Sequence, residues 1–87
     1  MVIKVGHLEL GVEERELGPD LLGEFDEMTC TIRVRPNISE QLRRSTILHE
    51  CLHAISSIYG LDLTESQVLV LESSLTNLIN QNPDLFR

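Results

Sequence analysis

The sequence predicts an α+β fold: a small N-terminal antiparallel β-meander of about three strands, followed by two antiparallel helices. Three observations predict it. Residues 28–35 alternate with a period of two. From Ser39 to Tyr59 nothing breaks a helix. A second helical stretch opens at Thr64 after only a short connection. The 87 residues (1–87) allow one domain and no more.

The elements follow in order. Residues 2–12 read as a strand of loose alternation, with Val2, Lys4, Gly6, Leu8, Leu10 and Val12 mixed with His7 and Glu9. Residues 13–20 end in Gly18-Pro19-Asp20 and form a polar connection with turn chemistry. Residues 21–26 are expected as a second short strand. In residues 28–35, Thr29, Thr31, Arg33 and Arg35 alternate with Cys30, Ile32 and Val34, which gives one solvated face. Glu27 is expected in the turn joining strands two and three. Ser39 is an N-cap, with Glu40 in the first turn where the helix dipole favours negative charge. Gly60 sits where a left-handed C-terminal residue belongs. Thr64-Glu65-Ser66-Gln67 matches a capping box and opens the second helix, which runs to about Asn80, before Asn82-Pro83. Helices joined by so short a link pack antiparallel on each other.

Composition excludes several partners. The net charge of -7 argues against nucleic acid and against an anionic membrane surface. No stretch approaches the roughly 18 apolar residues of a membrane span, and no apolar signal region forms at the N-terminus. A cytoplasmic location is expected, with Cys30 and Cys51 as reduced thiols rather than a disulfide. So small a domain has a marginal core, which a metal joining two helices would reinforce. An exposed edge strand and that small core also allow a homodimer.

The motif that carries chemistry is His49-Glu50-Cys51-Leu52-His53, an H-E-x-x-H element inside the first helix. Imidazoles at i and i+4 are about 40° apart around the helix and project from one face. That spacing suits two nitrogens on one Zn²⁺. Glu50 can lean over the open position and take a proton from water there. Leu42, Thr46, His49, His53 and Ser56/Ser57 share this side. Ile47, Leu48, Cys51, Leu52, Ile55, Ile58 and Tyr59 cover most of the rest, so the helix is well buried.

The second helix offers a candidate third ligand. Val68, Glu72, Leu75 and Ile79 form an apolar stripe that contains Glu72, and a carboxylate there is costly unless paired or bound to metal. His49, His53 and Glu72 with water in the fourth place make a catalytic rather than a structural zinc site. Glu65 is the rival ligand, although its place in the first turn is also explained by the helix dipole. Glu72 could instead pair with Arg43 or Arg44. His7 could donate to an oxyanion but reads as surface, Tyr59 reads as packing, and Cys51 points about 200° away from His49. Arg33 and Arg35 read as a solvated strand face. Arg43 and Arg44 also look solvated, yet near enough to touch an acidic substrate.

The stretch Thr46-Ile47-Leu48-His49-Glu50-Cys51-Leu52-His53-Ala54-Ile55 resembles the active-site helix of zincin metallopeptidases, the gluzincin type in particular. The layout is similar to small phage and prophage zincin-like proteins, loosely related to the ImmA/IrrE-type metallopeptidases. In those a Gly-Glu turn, here Gly23-Glu24, precedes the metal helix, and an Asn-Pro-x-Leu tail, here Asn82-Pro83-Asp84-Leu85, follows the second helix. The resemblance implies a zinc-dependent peptidase with a peptide or protein substrate and a third ligand matching Glu72. It also implies a twisted sheet whose edge could hold an extended peptide. The chain departs from full-size peptidases in lacking the second lobe that walls their cleft. The expected activity is hydrolysis of a peptide bond, with Glu50 as general base. Two alternatives compete: a zinc-stabilised binding or regulatory module with little proteolysis, and a small acidic interaction protein that binds no metal.

Overall fold

In the computed structural model, which describes residues 1–86, the chain forms β1 (Val2–Val5), β2 (Leu8–Glu14), β3 (Gly23–Asp26), β4 (Thr31–Val34), α1 (Glu40–Tyr59) and α2 (Glu65–Gln81). The α+β class is as expected, but there are four strands and the sheet is mixed.

The extra strand arises because residues 2–12 are a hairpin and not one strand. Its turn is Gly6-His7, with Val5 paired to Leu8. Gly6 has φ 57°, a left-handed conformation that a two-residue hairpin loop asks of a glycine. A two-residue turn also shifts the parity of inward positions. Ile3 and Val5 point inward before it, and Leu8, Leu10 and Val12 after it, all joining one core cluster.

The order β1-β2-β4-β3 is not a meander. Strand β4 lies between β2 and β3, parallel to β2 (Gly11↔Thr31 to Glu14↔Val34) and antiparallel to β3. Burial explains the placement. Ile32 and Val34 of β4 and Leu10 of β2 are fully buried, and each such side chain contributes about 1.5–3 kcal/mol by leaving water. Strand β4, whose two apolar side chains are both fully buried, therefore takes an inner place, and Gly23-Glu24-Phe25-Asp26 is left at the edge. Cys30, expected in the strand, lies in the turn before it with φ 51°.

The polar face of β4 is not merely solvated. Arg33 is ion-paired with Glu13 (3.0 Å) and Asp26 (3.1 Å), with Glu24 at 3.9 Å. Its guanidinium holds the Asp26 carboxyl below the ordinary range. Arg35 turns toward the connection before β3. Its Nε donates to the Leu21 carbonyl at 2.9 Å, and its Nη2 donates to the carbonyls of Leu17 and Gly18.

Both helices begin as their caps predict. The Ser39 hydroxyl accepts from the Leu42 amide at 3.1 Å, and Gly60, at φ 64°, closes α1. Thr64 and Gln67 form the reciprocal capping box, and α2 stops at Gln81, one residue before the cap Asn82. Between the helices, the Leu63 amide donates to Ser56 Oγ at 2.8 Å. The link thus folds back along α1, and α2 starts roughly one turn lower than Gly60. Helix α2 packs on α1, and Val68 is its only buried residue. No helix among the described residues is long and apolar enough to cross a membrane.

Candidate metal centre

Helix periodicity puts His49 and His53 on one face of α1, and the lowered start of α2 brings two carboxylates against them. The His49 and His53 Nε2 atoms are 3.3 Å apart. Glu65 reaches both: Oε1 is 2.7 Å from His49 Nε2, and Oε2 is 3.0 Å from His53 Nε2. One ligand atom from each of His49, His53 and Glu65 falls within 4.8 Å of the others. Glu72 stands on the opposite side of the His49 ring, with Oε1 at 2.8 Å from Nδ1. The contacts run in antiparallel sense, His53 with Glu65 and His49 on to Glu72.

This arrangement has two consequences for His49. In neutral imidazole, an Nδ1–H donating to Glu72 leaves the Nε2 lone pair free toward Glu65 and His53. Two Nε2 lone pairs facing each other at 3.3 Å repel unless a proton or a cation lies between them. Burial opposes a charge on the ring. The hydrogen bond to Glu72 and the negative charges of Glu65 and Glu50 outweigh it, and the net pKa is raised.

The donor set fits zinc. Two nitrogens at 2.0–2.1 Å from a tetrahedral ion are separated by about 3.3–3.4 Å, the spacing of the two Nε2 atoms. A carboxylate that faces both nitrogens completes a two-imidazole, one-carboxylate set.

Glu50 lies beside the group and is only 8% exposed. Burial raises its pKa, while the charges of His49 and His53 pull the other way. Strand β3 covers it from one side. A Cβ added to Gly23 would lie 2.6 Å from Thr46 Cγ2 and 3.4 Å from Glu50 Cγ, so the sheet edge approaches α1 closely only because residue 23 is glycine. Thr46 is itself buried and donates to the Leu42 carbonyl at 2.7 Å. His49, Glu50, His53, Glu65 and Glu72 open into one cavity of about 650 Å³, between the 20–25 segment and the two helices.

No family model, curated protein or solved structure matches the chain.

Several sequence readings change place. His7 is in the β1–β2 turn and does not line the cavity. Tyr59 is 60% exposed rather than packed in the core, with its hydroxyl against the Gly6 turn. Arg43 and Arg44 face away from the cavity, toward Glu14 (4.0 Å) and Glu40 (3.3 Å), so neither pairs with Glu72 nor reaches a ligand at the site. Both cysteines are free. Cys51 packs against the core cluster, and burial pushes its thiol up. Arg35, read as part of a solvated strand face, instead holds the loop before β3, and Gly23, read as part of a Gly-Glu turn, opens β3 against α1. Gly23, opening a strand of alternating polarity, was the available signal of a close backbone approach.

Proposed function

We propose that the protein is a minimal zinc-dependent peptidase. Zinc would be held by His49 Nε2, His53 Nε2 and the Glu65 carboxylate, while Glu72 fixes the His49 ring through Nδ1. One observation carries the reading: two imidazole nitrogens and a carboxylate converge within 4.8 Å at the foot of an open cavity that also contains a buried glutamate. When bound, zinc lowers the pKa of water and polarises a carbonyl.

The chain's own residues do the rest. Glu72 selects the His49 tautomer that presents Nε2, as carboxylates do behind zinc-bound histidines. Glu50, with its pKa raised by burial, takes the proton of the attacking water and delivers it to the leaving amine. Strand β3 has one neighbour, β4, so its free edge lies beside the cavity. An extended peptide could add there by backbone hydrogen bonds.

A second reading has its own support. Val68 is the only buried residue of α2, with Leu71 and Leu75 half-buried, so the His–Glu contacts add to a thin apolar attachment of that helix. Zinc held there for stability would make the protein a metal-clamped binding module. Glu50→Gln separates the two. The peptidase reading expects zinc to stay bound while cleavage of a mixed peptide substrate, followed by mass spectrometry, disappears. Equal cleavage by the variant and the parent would refute the mechanism.

A further inference from the structure

The cavity has an apolar wall that the metal chemistry does not require. Leu21 (48% exposed), Leu22 (42%) and Leu69 (51%) all line it. Leu69 is on the first turns of α2, while Leu21 and Leu22 belong to the connection between β2 and β3. Exposed leucines scattered singly need no explanation, but these face a shared space with the histidines at its foot.

The loop that carries Leu21 and Leu22 is built, not loose. Gly18 to Leu21 close a turn, with the Leu21 amide on the Gly18 carbonyl at 3.0 Å. The Arg35 amide donates to the Leu22 carbonyl at 2.8 Å. The Arg35 guanidinium donates to the carbonyls of Leu17, Gly18 and Leu21. One residue at the end of β4 therefore fixes four carbonyls of a six-residue segment. The planar guanidinium fork supplies three of these bonds, which a lysine cannot, and the backbone amide the fourth.

Charge narrows the choice of ligand. Among the described residues no lysine or arginine lines the cavity, while Asp20 and Glu24 join the three glutamates of the site. An acidic side chain would be repelled, and a small one would leave the leucines wet.

We propose that the 17–22 loop, held by Arg35, is the specificity-determining wall of the site. It accepts one large apolar side chain of a peptide, beside the bond presented to the histidines. Arg35 is a positioning residue. The inference rests on the peptidase reading only for what happens to that bond.

The test needs neither turnover nor metal. Capped dipeptides Ac-Gly-X-NH₂, with X = Leu, Ala, Asp or Lys, are titrated into ¹⁵N-labelled full-length protein, and amide shifts are followed. Leucine is expected to saturate at about tenfold lower concentration than alanine, the size of effect a few methylenes produce in a partly open pocket. Aspartate should give no response, and the shifts should centre on Leu21, Leu22 and Leu69. Arg35→Ala should erase the Leu-over-Ala ratio while the amide dispersion of the helices stays intact. If Arg35→Ala fails to fold, Leu22→Ser decides by the same ratio. Equal response to all four probes, a lysine probe that saturates at or below the leucine concentration, or a preference unchanged by the folded variants overturns the proposal. Failure of the peptidase reading is distinguishable. It appears as absent zinc uptake, or as cleavage surviving Glu50→Gln, while the leucine preference stands.

Discussion

Replacing Glu65 and Glu72 in turn by alanine distinguishes a ligand from the residue that orients a ligand. Glu72 touches only the Nδ1 side of His49, at 2.8 Å. Removing such an orienting carboxylate costs about 10–100-fold in metal affinity, or roughly 1.4–2.8 kcal/mol. Glu65 faces both Nε2 atoms, at 2.7 and 3.0 Å. Its loss leaves two imidazoles with no carboxylate, so more than about 100-fold is expected. Glu65 is also the safer variant for folding, because its side chain is 62% exposed against 22% for Glu72. The assay is competition for zinc against a chromophoric chelator at neutral pH, on protein without a His-tag. The reverse order, with Glu72→Ala costing more than Glu65→Ala, would refute the assignment and make Glu72 the ligand. Unchanged zinc affinity in both variants would remove the metal from the site altogether.

Three further outcomes are expected. In excess chelator, the protein should lose thermal stability as pH rises above about 4.5 through Glu50, and further above about 6.5 through His49. His49 and Glu50 both have raised pKa values, so each stabilises the fold when protonated, and that contribution is lost as pH climbs through the folded pKa. With zinc the slope should be opposite, since the ligands must be deprotonated, and a flat metal-free profile would contradict the reasoning. Gly23→Ala should destabilise by about 1–3 kcal/mol in chemical denaturation, because the new methyl meets Thr46 Cγ2 at 2.6 Å and the unyielding Arg33 carbonyl at 3.1 Å. Thr64→Ala should cost about 1 kcal/mol through the lost cap. It should also weaken zinc binding, because the capped turn carries Glu65. A variant with unchanged zinc affinity would uncouple the two.

What could be read from the sequence was local. Ser39, Gly60 and the Thr64–Gln67 box fixed both helix boundaries because caps act within four residues. The histidine pair was readable for the same reason, its geometry being that of one helix turn. Whether Glu65 or Glu72 meets Nε2 was not readable. That depends on the Leu63–Ser56 hydrogen bond, which lowers the start of α2 along α1 and so brings Glu65, rather than a residue a turn or two later, to the level of His53. The central place of β4 is likewise nonlocal. It follows from Ile32, Val34 and Leu10 sharing one buried layer, which no window around residue 32 reveals. The parity change across Gly6-His7 was in the sequence, but the even-numbered run Val2 to Val12 concealed it.

The buried carboxylate of Glu50 bears on which reading of the site is right. A zinc clamp needs His49, His53 and a carboxylate from α2, and it has no use for a glutamate that is 8% exposed with its pKa raised by burial. Such a group costs stability whenever it is ionised. Glu50→Gln keeps the shape and removes the charge, so the variant should be at least as stable as the parent at neutral pH. It should also gain the same increment from zinc. Saturating at about 100 times the dissociation constant contributes about 2.7 kcal/mol. In a domain of this size that moves the Tm upward by roughly 10–20 °C. A variant equally stabilised by zinc, more stable without it and inactive on peptides would mark Glu50 as held for chemistry at the expense of the fold. A variant that loses the zinc increment would place Glu50 among the groups that hold the metal, and the general-base assignment would fall.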